Sequence, residues 1–76
     1  MTKDLAHYMG LPYTIRLQPH PDDGWYGEIE ELPGCIAAAD TQIEVLELLE
    51  GAKEMWLEIR LERDETIPEP VPIKNL

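Results

Sequence analysis

The segment Gly24-Trp25-Tyr26-Gly27-Glu28-Ile29-Glu30-Glu31-Leu32-Pro33-Gly34-Cys35-Ile36-Ala37-Ala38-Ala39-Asp40-Thr41 leaves a chain of this kind few ways to fold. Trp25 to about Leu32 alternates, with Trp25, Gly27 and Ile29 on one face and Tyr26, Glu28 and Glu30 on the other. That is the period-2 pattern of a half-buried strand. Leu32-Pro33-Gly34 breaks it, because proline and glycine supply turn geometry. Cys35 to Ala39 is then a short strand of small residues, whose faces alternation does not assign. Asp40-Thr41 opens a helix. Thr41 and Glu44 stand at the S/T-x-x-E spacing of a capping box, in which the hydroxyl serves one orphan amide and the carboxylate another.

The rest of the chain fits around this segment. Thr2 is placed to cap a short helix through Met9, with Leu5, Tyr8 and Met9 on one face and Gly10-Leu11-Pro12 as its stop. Tyr13 to Gln18 alternates as a strand, with Tyr13, Ile15 and Leu17 pointing one way. Pro19-His20-Pro21-Asp22-Asp23-Gly24 is the turn that returns the chain. Two short connections between successive strands give an antiparallel meander.

The main helix is expected to run to about Arg63. Val45, Leu48, Leu49, Ala52, Met55, Trp56 and Ile59 share one broad apolar stripe, the expected core face. Ile43, Leu46, Leu57 and Leu61 form a second stripe, for the N-terminal helix or tail to cover or for a subunit contact. Glu47, Glu54 and Glu58 make an acidic ridge flanked by Glu44 and Glu62. It is either a solvated face or a partner face. A helix of this length reaches about 34 Å, whereas a six-residue strand reaches about 20 Å. Leu57 and Leu61 therefore overhang the sheet and need cover from elsewhere. The tail Ile67-Pro68-Glu69-Pro70-Val71-Pro72-Ile73 has prolines at alternate positions. It is limited to an edge strand, beside the first strand where topology allows, or to an extended arm.

Composition narrows the function. At 76 residues the chain is one domain spanning 1–76, with the core elements over 13–73. A domain this small buries only about 60% of its unfolded surface, so a partner or self-association would add stability. Sixteen acidic and six basic side chains give a net charge of −10. Such a chain repels nucleic acid phosphates and anionic membranes and attracts basic partners. No apolar run approaches the roughly 20 residues of a membrane span, and no signal peptide is evident at the N-terminus, so a cytoplasmic location is expected. A lone Cys35 forms no internal disulfide.

Catalytic signatures are missing. There is no phosphate-binding glycine loop and no zinc spacing, so no cofactor and no metal are expected. A nucleophilic Cys35 would need a base, and His20 lies in a turn one strand away; a small buried residue beside a Pro-Gly turn is the plainer role. A two-metal nuclease needs acids converging from adjacent strands, and the first strand carries Arg16 and no acid.

The run from Trp25 to Cys35, followed by Asp40-Thr41-Gln42-Ile43-Glu44, resembles the HicB-like antitoxin family. Leu32, Pro33, Gly34, Cys35, Asp40, Thr41 and Glu44 carry the resemblance, and the Ile67–Pro70 tail extends it. Ala39 stands where the family usually has glycine, and would be strained if the backbone there needs positive φ. Glu30 stands where proline is common, and Val45 where alanine is. The resemblance implies an α+β domain with a partial ribonuclease H-like fold: a three-stranded antiparallel meander, a long helix and a short fourth strand, here preceded by a short N-terminal helix. It also implies a non-enzymatic role in neutralising a small basic HicA-like mRNA nuclease toxin. The alternative is an orphan homo-oligomeric domain, a dimer or tetramer, with no toxin. The chain as it stands has no room for the C-terminal DNA-binding domain of many members, so direct nucleic acid binding is not expected. The expected partner-binding residues are Tyr26, Glu28 and Glu30 on the second strand and Glu47, Glu54 and Glu58 on the helix.

Overall fold

A computed structural model describes residues 3–71. The elements run α1 (Leu5–Met9), β1 (Ile15–Pro19), β2 (Trp25–Ile29), β3 (Ile36–Ala39) and α2 (Gln42–Glu62). The fold is α+β: a three-stranded antiparallel sheet in the order β1-β2-β3, with α2 laid across one face. The expected meander is therefore formed, with β2 at its centre.

Local chemistry accounts for each junction. Asp4, not Thr2, caps α1, its carboxylate accepting from the His7 amide at 3.0 Å; Thr2 lies outside the described residues. Between β1 and β2, positive φ falls on Asp23 (105°) and Gly24 (85°). β2 stops at Ile29, short of the expected Leu32, because the chain turns to bury Leu32 completely. Leu32-Pro33-Gly34-Cys35 is a type II turn, with proline at the second position and Gly34 at φ 88° in the third. The Cys35 amide closes it on the Leu32 carbonyl at 3.0 Å.

Thr41 caps α2, accepting from the Glu44 amide at 3.2 Å, as the spacing predicts. The reciprocal half differs. The Glu44 carboxylate accepts from the Thr41 hydroxyl at 3.0 Å rather than from a backbone amide. At the far end the Asp64 amide donates to Leu61 and the Glu65 amide to Arg60, a Schellman closure with Asp64 at φ 55° in the place that glycine usually takes. Ala39 is free of the expected strain, since it does not adopt positive φ.

The core joins Tyr8, Ile29, Leu32, Cys35, Val45, Leu49, Leu57 and Ile67. Its helix face differs from the single stripe expected. Val45 and Leu49 are buried on the sheet, but Leu48, Met55 and Ile59 are exposed, while Lys53 and Leu57 are buried. The reason is that α2 has two supports. Its first half lies on the sheet, and its overhanging second half lies against α1 and the C-terminal arm, which rotates the buried stripe towards Lys53 and Leu57.

That arm carries no strand through Val71; the rest of the tail lies outside the described residues. Ile67 plugs the core, the Tyr13 hydroxyl donates to the Pro68 carbonyl at 2.6 Å, and Glu69 meets Lys3 (2.7 Å) and His7 (3.3 Å). Pro68 and Pro70 lack the amides a ladder needs, so side chains hold the arm instead.

Candidate functional site

The predicted partner-binding residues fall on two separate faces. β2 presents Tyr26 and Glu28 on the open side of the sheet. Register sets Tyr26 between Gln18 and Ala38, and Glu28 between Arg16 and Ile36. Arg16 bonds Glu28 directly and lies 3.9 Å from Glu30. One guanidinium thus neutralises Glu28 and lies within ion-pair reach of Glu30, leaving one net negative charge across the three groups. Tyr26 and Glu28 are half-buried and Glu30 is exposed.

Glu47, Glu54 and Glu58 lie on the outer face of α2, all exposed, with Glu44 and Glu62 beside them. None of these five carboxylates has an ion-pair partner among the described residues. The helix cations are engaged elsewhere. Lys53 is buried, bonding the Met9 carbonyl at 3.3 Å and Glu50 at 3.1 Å. Arg60 lies over the Trp56 ring at 4.4 Å and pairs with Glu65 at 3.5 Å. Sequence reasoning set the two acidic sets level. Opposition of Arg16 to Glu28 separates them, and it follows from counting the strand register back from the Pro19–Gly24 turn.

Beside the acidic ridge runs an apolar strip that sequence reasoning assigned to the core. Leu48, Met55 and Ile59 are 52%, 65% and 42% exposed. The strip borders a shallow groove of about 220 Å³ lined by Gly34, Cys35, Ala52, Met55, Trp56 and Ile59. The Leu-Pro-Gly-Cys turn forms one wall, fixed to α2 by the Trp56 indole, which donates to the Pro33 carbonyl at 2.8 Å. Leu32 and Cys35 anchor the turn from below, both buried. Burial pushes the Cys35 thiol above its usual pKa, partly offset by Lys53, so it stays protonated at neutral pH.

His20 is remote from Cys35. It lines a separate open hollow with Asp22, Asp23, Trp25 and Asp40 beside the Ala39 end of β3, whereas Cys35 precedes the opposite end. Its Nδ1 accepts from the Asp22 amide at 3.2 Å. Among the described residues no three His, Cys, Asp or Glu side chains gather as a metal site would need.

Residues 16–68 match the model of a family described as UPF0150-like. The chain belongs to the UPF0150-like family. It is also similar to a UPF0150 protein of Synechocystis sp., 36% identical over 58 residues, which cover 76% of this chain and 80% of that protein. The match takes in β1, β2, β3, α2 and the start of the arm, and leaves α1 outside it. No described helix is long and apolar enough to cross a membrane.

Proposed function

We propose that this UPF0150-like protein is a non-enzymatic, HicB-like antitoxin that binds and neutralises a small basic HicA-like mRNA nuclease. On this reading the sheet and α2 are a partial ribonuclease H-like scaffold without catalytic acids, and the protein works in the cytoplasm. Family membership and the resemblance of Leu32–Glu44 to HicB-like proteins support this class. One observation carries the mechanism: Glu44, Glu47, Glu54, Glu58 and Glu62 on the outer face of α2 have no cationic partner among the described residues, while Glu28 and Glu30 share Arg16. An acidic face without internal counter-ions attracts a basic surface and occupies places where RNA phosphates would otherwise sit. The test is co-purification with a small basic HicA-like nuclease co-expressed with this chain. Complex formation at micromolar concentration and loss of RNA cleavage are expected. No complex at low salt would sink the proposal.

A second reading is an orphan homo-oligomer with no toxin. The observation favouring it is the outer edge of β3, which pairs with no other strand among the described residues and where Ile36–Ala39 carries neither charge nor proline to deter pairing with another chain. Sedimentation showing a monomer at high concentration would remove it.

A further inference from the structure

We propose that the exposed strip of α2 formed by Leu48, Met55 and Ile59, with the Cys35–Trp56 groove beside it, is the docking site for an amphipathic helix whose apolar face is rimmed by lysine or arginine. The inference rests on the antitoxin reading for the partner's role and adds the surface and the chemistry that fits it. Leu48, Met55 and Ile59 are the apolar residues that α2 turns furthest from both its supports along this edge. They stand at i, i+7 and i+11, one side of a helix over about 16 Å, which matches about three turns of a partner helix. The groove between Trp56 and the Gly34–Cys35 turn offers a socket alongside them.

The margin of the strip decides the occupant. Glu44, Glu58 and Glu62 border it, with Glu47 and Glu54 behind, and no described cation answers them. A second copy is a poor fit. In an antiparallel two-fold pairing through this strip the acid rim meets its own image, and in a parallel one it meets the uncharged Ala52–Trp56 side, so neither arrangement brings it a cation. A cationic rim is complementary at every position. The open sheet face exposes Ile36 but lacks the uncompensated acid rim, since Tyr26 and Ile36 stand beside an Arg16–Glu28 pair that is already neutralised.

The probe is a synthetic 18-residue leucine–lysine peptide with helical periodicity, titrated at physiological salt against the full ¹⁵N-labelled chain. Amide shifts at Leu48, Met55 and Ile59 and at the Trp56 indole are expected. Met55→Glu places a charge on an already exposed site, so the fold persists and a thermal melt checks it. It should weaken binding about tenfold or more, because burying a side chain of this size is worth about that factor. Gln18→Ala, on the open sheet face opposite Tyr26, should stay within about twofold. Shifts centred on Tyr26, no binding at 100 µM, equal binding of a scrambled peptide, or a dimer covering the strip would each overturn the proposal. Peptide binding without binding of the HicA-like nuclease would keep the surface and sink the antitoxin reading. Undiminished binding of that protein by Met55→Glu would do the reverse.

Discussion

Gly27 is the place where helix and sheet come closest, and replacing it tests the packing account directly. A Cβ at this position would lie 2.5 Å from Val45 Cγ1, 3.0 Å from Leu17 Cδ2 and 3.1 Å from Leu49 Cδ1. Carbon atoms in contact sit about 3.5–4.0 Å apart, so α2 would have to retreat by about 1 Å. Val45 offers no escape, because a β-branched side chain in a helix has one strongly preferred rotamer and this one is fully buried. Overpacking costs about 1–3 kcal/mol, and three simultaneous close contacts argue for the upper end. Better strand propensity of alanine returns about 0.5–1 kcal/mol. Gly27→Ala should therefore lose about 2 kcal/mol of a total near 4–11 kcal/mol for this length. With a urea slope of about 1 kcal/mol/M, the midpoint followed by tryptophan fluorescence falls by about 2 M. Val45→Ala alone should lose about 2–3 kcal/mol through its missing methyl groups and the cavity they leave. In the double variant the new Cβ enters that cavity, so the loss should not exceed that of Val45→Ala, a coupling of about 2 kcal/mol. A Gly27→Ala loss under about 0.5 kcal/mol, or simple additivity, would refute the reasoning.

Three further outcomes are expected. Asp64→Gly relieves a left-handed residue at the end of α2 and should raise stability by about 1 kcal/mol in the same urea assay. Burial favours protonation of Glu31, but bonds from the Thr14 amide (2.9 Å) and hydroxyl (2.8 Å) outweigh it and hold the folded pKa below the usual 4.5. The stability this adds is present above pH 4.5 and is lost as pH falls through the lower folded value, so the advantage of the native protein over Glu31→Gln should shrink on acidification in that window. Cys35, buried with a raised pKa, should react with an aromatic disulfide reagent only as the protein opens, and at full rate in denaturant.

The elements with strong local chemistry were legible in the sequence. Proline at the second turn position and glycine at the third require the type II geometry seen at Leu32–Cys35, and Thr41 with Glu44 marks the helix start to the residue. The core face of α2 was not legible. A periodicity argument assumes one flat partner, whereas α2 lies first on the sheet and then on α1. Lys53, excluded from any apolar stripe by its charge, is buried there because its ammonium reaches the Met9 carbonyl while its stem packs. The tail left a choice between strand and arm, since alternating prolines permit either; the bonds of Tyr13 and Glu69 to and from it are long-range contacts with no local signature. The overhang of Leu57 and Leu61, by contrast, followed from helix and strand lengths alone, and Leu57 is indeed fully covered.

The distribution of charge connects this architecture to binding. Lys3, Arg16, Lys53 and Arg60 each meet a carboxylate of their own chain, and together they fix the arm, the sheet, the α1 contact and the end of α2. Most of the small cationic complement is thereby used inside the fold, and the outer face of α2 keeps its negative charge. Self-repulsion along that face opposes a compact state whose core is already small. A basic ligand that binds only the folded chain reverses the sign of this contribution, and adds stability that grows with its concentration over its dissociation constant. The melting temperature should therefore rise on adding the leucine–lysine peptide, and rise less for Met55→Glu. Salt alone should also stabilise the free protein by screening the α2 carboxylates. If added salt instead lowered its stability, the internal ion pairs would outweigh the repulsion, and the acidic face would not be the strained, partner-seeking surface described above.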